Sequence, residues 1–192
     1  ELRVDQGKSP TSQLYLNVEN AICTMGNIKL IYWNDAGSNL KITVGDYINT
    51  IPKLRFNKDS YLNIDMLGDK QLSIKQIWFD GDGKDADCDP TKAIATIELN
   101  NFDNDKILIE DLTGVSLENN LLKVYKDGSN SVYSYIEIVA HDAEGNLIDG
   151  EWNLVQGEGG YWLNNSAIPE PAAYAALLGY LSLSLAAARR RK

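Results

Sequence analysis

Five aspartates, Asp80, Asp82, Asp85, Asp87 and Asp89, stand within ten residues in the stretch FDGDGKDADCD. Carboxylates concentrated on a Gly-rich loop are what a hard cation such as calcium requires, since it takes about six to eight oxygen ligands. The pattern therefore nominates Asp80, Asp82, Asp85 and Asp87 as calcium ligands. The EF-hand template does not fit: with Asp80 as first ligand, Lys84 falls at the fifth position and Asp85 where the turn glycine belongs, and no Glu stands at the twelfth. An acidic, solvated hairpin loop is the competing expectation, and no other cofactor is implied.

The remaining chemistry-bearing residues are sparse. His141 is the only histidine, so any Ser-His-Asp set has to pass through it, and Gly-x-Ser-x-Gly is absent. Its place beside Asp142, at the edge of an expected turn, reads as a surface hairpin histidine. With 27 acidic residues a carboxylate pair for glycoside hydrolysis is available in number, but spacing singles out no pair. The chain is therefore expected not to be an enzyme. Tyr32-Trp33, Trp78-Phe79, Trp152 and Tyr161-Trp162 can supply a flat platform for sugar rings, although aromatics in alternating strands are commonly half core. Cys23 and Cys88 can form one disulfide if the chain is exported, and two separate buried thiols is the other reading. Neither lies in a zinc-ligand spacing.

The elements that must hold these residues read as strands. Leu14-Tyr-Leu16-Asn-Val18, Ile28-Lys-Leu30-Ile-Tyr32, Leu40-Lys-Ile42-Thr-Val44, Leu54-Arg-Phe56, Leu62-Asn-Ile64-Asp-Met66 and Leu72-Ser-Ile74-Lys-Gln-Ile77 alternate apolar and polar residues, as the two faces of a half-buried strand demand. Later runs are Ile94–Ile97, Lys106–Ile109, Leu121–Val124 and Val132–Ile138. Asp35–Asn39, Lys126–Asn130 and Ala143–Asn146 are Gly/Asn/Asp clusters that tolerate positive φ and read as turns. The last predicts a hairpin, with Tyr135–Asp142 going up and Leu147–Leu154 returning. Residues 1–163 are thus expected to form one all-β domain, either a β-sandwich or the terminal coils of a β-solenoid with a hairpin cap. Favouring the solenoid, the runs 40–44 and 62–66 share the form Leu-x-Ile-x-apolar at a spacing of 22 residues. Against it, the same step forward lands on KDADC.

Of 192 residues, 44% are hydrophobic, enough for a real core. The formal charge of −9 includes +4 from Arg189, Arg190, Arg191 and Lys192, leaving −13 on residues 1–188. Such a surface repels phosphate backbones, so nucleic acid is not an expected partner. The chain opens at Glu1 with neither an initiator Met nor an apolar export segment, which predicts a processed or fragmentary start.

The C-terminal end is different in kind. After a small polar linker at 164–168, Pro169-Glu170-Pro171 stops any strand. Residues 172–188 then carry no charge, and Arg189, Arg190, Arg191 and Lys192 follow at once. As a helix this apolar segment would be about 25 Å long, sufficient for a membrane's hydrocarbon layer. Tyr174 suits an interfacial aromatic, and the basic cluster would stay on the cytoplasmic side, putting the acidic domain outside.

The Pro-Glu-Pro motif, apolar span and basic end closely resemble the PEP-CTERM sorting signal of Gram-negative bacteria, also described as an ice-binding-protein C-terminal motif. The resemblance covers about 25 residues. Ala172 stands where the signal usually has Ser or Thr. The resemblance implies an exported protein that lodges in the inner membrane by the 172–188 helix, with its domain in the periplasm. It also implies recognition of Pro169, Glu170 and Pro171 by an exosortase, a membrane-embedded transpeptidase-like enzyme. Cleavage would send the domain to the cell surface or outside the cell, where many such proteins accompany exopolysaccharide and biofilm matrix. No regular Thr-x-Thr face accompanies the tail to support ice binding.

Overall fold

The computed structural model describes residues 39–44, 49–80 and 91–168, with the backbone of the strands at 2–4, 13–16 and 28–30. Every regular element among the described residues is a strand, and they form three sheets. Strands are numbered in chain order. One four-stranded sheet runs β1 (Leu2–Val4), β3 (Ile28–Leu30), β6 (Leu54–Phe56), β9 (Ile77–Phe79), all parallel. A seven-stranded sheet stacks β2 (Gln13–Leu16), β4 (Asn39–Val44), β7 (Tyr61–Met66), β10 (Ala95–Asn100) and β14 (Tyr133–Ala140) in parallel. Two antiparallel strands, β13 (Leu121–Tyr125) and β12 (Val115–Glu118), then extend it. A five-stranded sheet places β5 (Thr50–Ile51), β8 (Leu72–Ile74) and β11 (Ile107–Ile109) in parallel. It ends with antiparallel β16 (Gly160–Asn165) and β15 (Trp152–Gly157).

Alternation in the sequence becomes alternation of burial. In β4 and β7 the second, fourth and sixth side chains are buried, and in β10 the first, third and fifth. Parallel register then stacks like on like: Leu40 lies beside Leu62 and Leu62 beside Ile97, while Ile42, Ile64 and Leu99 form the next column. Ile51, Ile74 and Ile109 do the same on the five-stranded sheet, and Leu54 and Phe56 pair with Ile77 and Phe79 on the four-stranded one. These columns meet in one apolar core. Each is built from β-branched or large apolar residues that fit a pleated surface buried on one side.

The chain visits the three sheets in turn and comes back beside its own earlier strand. Asn39 pairs with Tyr61, 22 positions on, and Leu54 with Ile77, 23 positions on. The next return is longer, Leu62 meeting Ile97 and Leu72 meeting Ile107. The added length lies between Phe79 and Ala95, the segment that carries the aspartate-rich stretch. A fixed 22-residue step therefore lands inside this insertion at KDADC, although the strand it sought exists farther along.

Two sequence expectations are corrected. Residues 147–154 do not pair as a strand beside β14: their backbone contacts to it are the His141–Leu147 bridge and the Ile148 N–H bond to the Ala140 carbonyl, 2.8 Å. The chain then turns away, and Trp152–Gly157 pairs with β16 on another sheet. Gly150 permits this crossing, because a side chain there would overlap Asn165 and Ala167. Nor are residues 164–168 a free linker. Asn164 and Asn165 belong to β16 and are 6% and 1% exposed, and residues through Ile168 are tied to the domain. Pro169, Glu170, Pro171, the 172–188 span, the basic end, Cys23, Cys88, Asp82, Asp85, Asp87 and Asp89 lie outside the described residues. Among the described residues no helix is long and apolar enough to cross a membrane.

Candidate functional site

Of the nominated calcium ligands only Asp80 is described. It follows β9 directly, its N–H donating to the Phe56 carbonyl at 2.7 Å, so the parallel ladder holds the start of the aspartate-rich segment. Among the described residues no three metal-ligating side chains converge. His141 sits at the end of β14, its Nδ1 3.5 Å from Glu98 Oε1. That distance makes a weak polar contact rather than a well-formed hydrogen bond. Glu98 is committed on its other oxygen to the Asn63 amide at 3.0 Å. The imidazole thus faces a carboxylate and amide network on the outer surface of the large sheet.

The structure separates the nominated aromatics. Trp152 is 7% exposed, packs edge-on against Phe102 with ring centroids 5.4 Å apart, and donates its indole N–H to the Ile138 carbonyl at 3.3 Å. Trp78 is equally buried, covered by Lys53 Nζ at 5.9 Å, and by Gly114, where a Cβ would lie 2.6 Å from the indole. Trp152 belongs to the core, whereas Trp78 lies on the opposite face of β9 from Ile77 and Phe79 and is buried beneath these outer covers. Tyr32 and Trp33 lie outside the described residues. Trp162 alone among the described tryptophans is half-exposed, on the outer face of the five-stranded sheet.

Among the described residues, three shallow grooves stand out. One, about 410 Å³, lies beside Trp162 and Leu108 and is bordered by the polar groups of Asn49, Thr50, Lys70, Gln71 and Ser73. A second, about 550 Å³, runs between Trp78, Tyr125 and the turn at Gly128–Asn130. The third, about 650 Å³, is the acidic one, with Asp103, Asp142, Glu144 and Asp149 around Leu147 and Ile168. No carboxylate lines the first two grooves, and Phe102, the aromatic of the third, is 3% exposed.

The carboxylates with shifted acidity have local structural partners. Asp142 closes the turn after β14, and hydrogen bonds from the Asn146 side chain and N–H, joined by those of Glu144 and Gly145, hold its carboxyl below the usual range. Asp111 is lowered by the Thr113 hydroxyl and N–H and by Gln76, and Asp127 by Lys53 and then Arg55. A carboxyl depressed in the folded state adds stability above its unfolded pKa of about 3.9 and loses it as pH falls through the folded value. The thermal midpoint should therefore stay level near neutrality and drop below about pH 4. Asp111→Asn should flatten that drop, and an unchanged acid profile in this variant would count against the assignment.

Two features escaped the sequence reading. Lys123 lies 4.1 Å from the centre of the Tyr133 ring and 2.9 Å from Glu118 Oε2, a cation held by aromatic faces and one carboxylate. The hydrogen bond to Glu118 raises the lysine's pKa and so keeps it protonated. Asn104, 9% exposed, is the other: its Oδ1 accepts the Asn165 N–H at 2.8 Å, and its Nδ2 donates to the carbonyls of Ile168 at 2.9 Å and Asn165 at 3.3 Å. Asp105 and Asn164 add a reciprocal pair at 3.0 and 3.2 Å.

Among the described residues, the fold is all-β, with parallel stacks extended by antiparallel strands and shallow grooves on its surface. Comparison with known proteins returns no matching family model, no similar curated protein and no similar solved structure.

Proposed function

We propose that the chain is an exported, non-enzymatic surface or matrix protein, delivered by a PEP-CTERM-like tail and cut by an exosortase near Pro169-Glu170-Pro171. The observation that carries this is the ordered combination of that motif, the uncharged 172–188 span and the basic residues 189–192. The inner membrane is its station before cleavage, and the cell surface or extracellular matrix its destination. The part before the tail acts by adhesion or as matrix structure, in contact with polysaccharide. Its architecture is that of the last coils of a β-solenoid, closed by the antiparallel strands β12–β13 and β15–β16. Repeated return of the chain beside its previous strand supports this over a sandwich. A lining without a carboxylate pair at the Trp162 groove supports binding over hydrolysis there, since glycoside cleavage needs two carboxylates flanking a held sugar.

Intact mass of the protein recovered from its native host tests the reading. The expected C-terminus lies at residues 169–171, with Arg189–Lys192 gone. Lys192 retained in membrane material would instead make the tail a permanent anchor and end the sorting proposal.

A further inference from the structure

Across the outer face of the five-stranded sheet, Thr50, Ser73, Leu108, Trp162 and Val155 stand in register on five neighbouring strands. With strands about 4.8 Å apart, the row is roughly 19 Å long. Trp162 is its centre of mass. A Cβ at Gly157 would lie 2.5 Å from the indole Nε1 and 2.6 Å from Cδ1, so the missing side chain at Gly157 lets the indole extend over β15. Leu108 and Val155 stand on either side of it, Val155 being 39% exposed. Toward the other end, the surface becomes polar through Thr50, Ser73 and the exposed Asn49 and Gln71.

We infer that this row is a contact surface for a neutral polysaccharide; the inference rests on the matrix reading above and gives that contact a place. A pyranose ring has an apolar C–H face and a rim of hydroxyls. The face can lie on the indole, while hydroxyls exchange bonds with amides and hydroxyls that both donate and accept. A row about four strand spacings long suits a polymer better than a single sugar. The charge of −13 on residues 1–188 opposes a polyanion, so the polymer is neutral. Glu110, which accepts from the Ser73 hydroxyl at the edge of this groove, is a single acid where cleavage takes a flanking pair, so the polymer is held and not cut. The other described tryptophans are each only 7% exposed, Trp152 in the core and Trp78 beneath Lys53 and against Gly114.

The test is sedimentation of the full-length protein, kept in mild detergent, with microcrystalline cellulose, curdlan and amylose resin, and with alginate gel as the anionic counterpart. Saturable binding to at least one neutral glucan and none to alginate is expected. Trp162→Ala should weaken it about ten-fold or more, and Trp162→Phe by less. Asn49→Ala, a change at an exposed position, should weaken it about two-fold to three-fold without moving the thermal midpoint. Neutral-glucan binding untouched by all three variants would overturn the site while leaving the matrix reading in place. No binding to any neutral glucan would overturn the site and the polysaccharide contact together, whereas the sorting route is judged separately by the mass measurement. Preference for alginate would overturn the assignment of a neutral polymer.

Discussion

Replacing Phe56 with alanine should lower the unfolding free energy by about 4 kcal/mol. Phe56 is fully buried in β6 and pairs in register with Phe79 on the next strand of the same parallel stack. Its removal takes away a whole aromatic ring and leaves a cavity that backbone ladders on both neighbouring strands prevent from collapsing. Phe56→Leu keeps most of the volume and should cost only about 1 kcal/mol. Urea titration is the measurement: the midpoint should fall while its slope with denaturant stays unchanged, the sign of one cooperative unit. A loss below about 1 kcal/mol for the alanine variant would mean that the interior between β6 and β9 is not close-packed.

Asn104→Ala should cost about 3 kcal/mol, because it removes three hydrogen bonds and leaves buried backbone groups without partners. The Asn165 N–H and the carbonyls of Asn165 and Ile168 are the groups left behind. Asn104→Asp should lose a similar amount: the carboxylate still accepts from Asn165, but it has no N–H to donate and turns negative charge toward two carbonyl oxygens. The local consequence is as informative as the global one. Hydrogen exchange at the Asn165 and Ile168 amides should quicken in both variants, and protease should reach residues 166–168. Unchanged protection there would show that the strand pairings of β16 alone hold this end of the domain. Asn104 also bears on the sorting proposal, since it fastens the domain one residue before Pro169.

Much of the strand content was legible because alternation is local. Leu40–Val44, Leu54–Phe56 and Leu62–Met66 each declare a buried face within a few residues, and the structure places strands at all three. Thr50–Ile51 and Gly160–Asn165 were not singled out, being too short or too rich in Gly and Asn to show a period. The regular return was legible for one step, from 40 to 62, and lost at the next, because the insertion after Phe79 changes the interval without changing the strand it leads to. The hairpin assigned to residues 135–154 failed for another reason. Its turn chemistry was read correctly at Gly145, where φ is 83°, but the identity of the pairing strand depends on the sheet across the core.

The binding candidates divide the same way. Sequence nominated Trp78, Trp152 and Trp162 alike, because an aromatic in a strand looks the same whichever face it occupies. Burial separated them, and register then brought Thr50, Ser73, Leu108 and Val155 beside Trp162 from positions that share no local pattern. By itself the sequence determined the strand-forming character, the acidic charge and the composition of the tail, since each is a property of neighbouring residues in the chain. Tertiary structure decided which strands pair, which aromatics face outward and where Asn104 reaches the domain's end. Those contacts join residues up to 64 positions apart, and only the folded core and the strand registers bring such residues together.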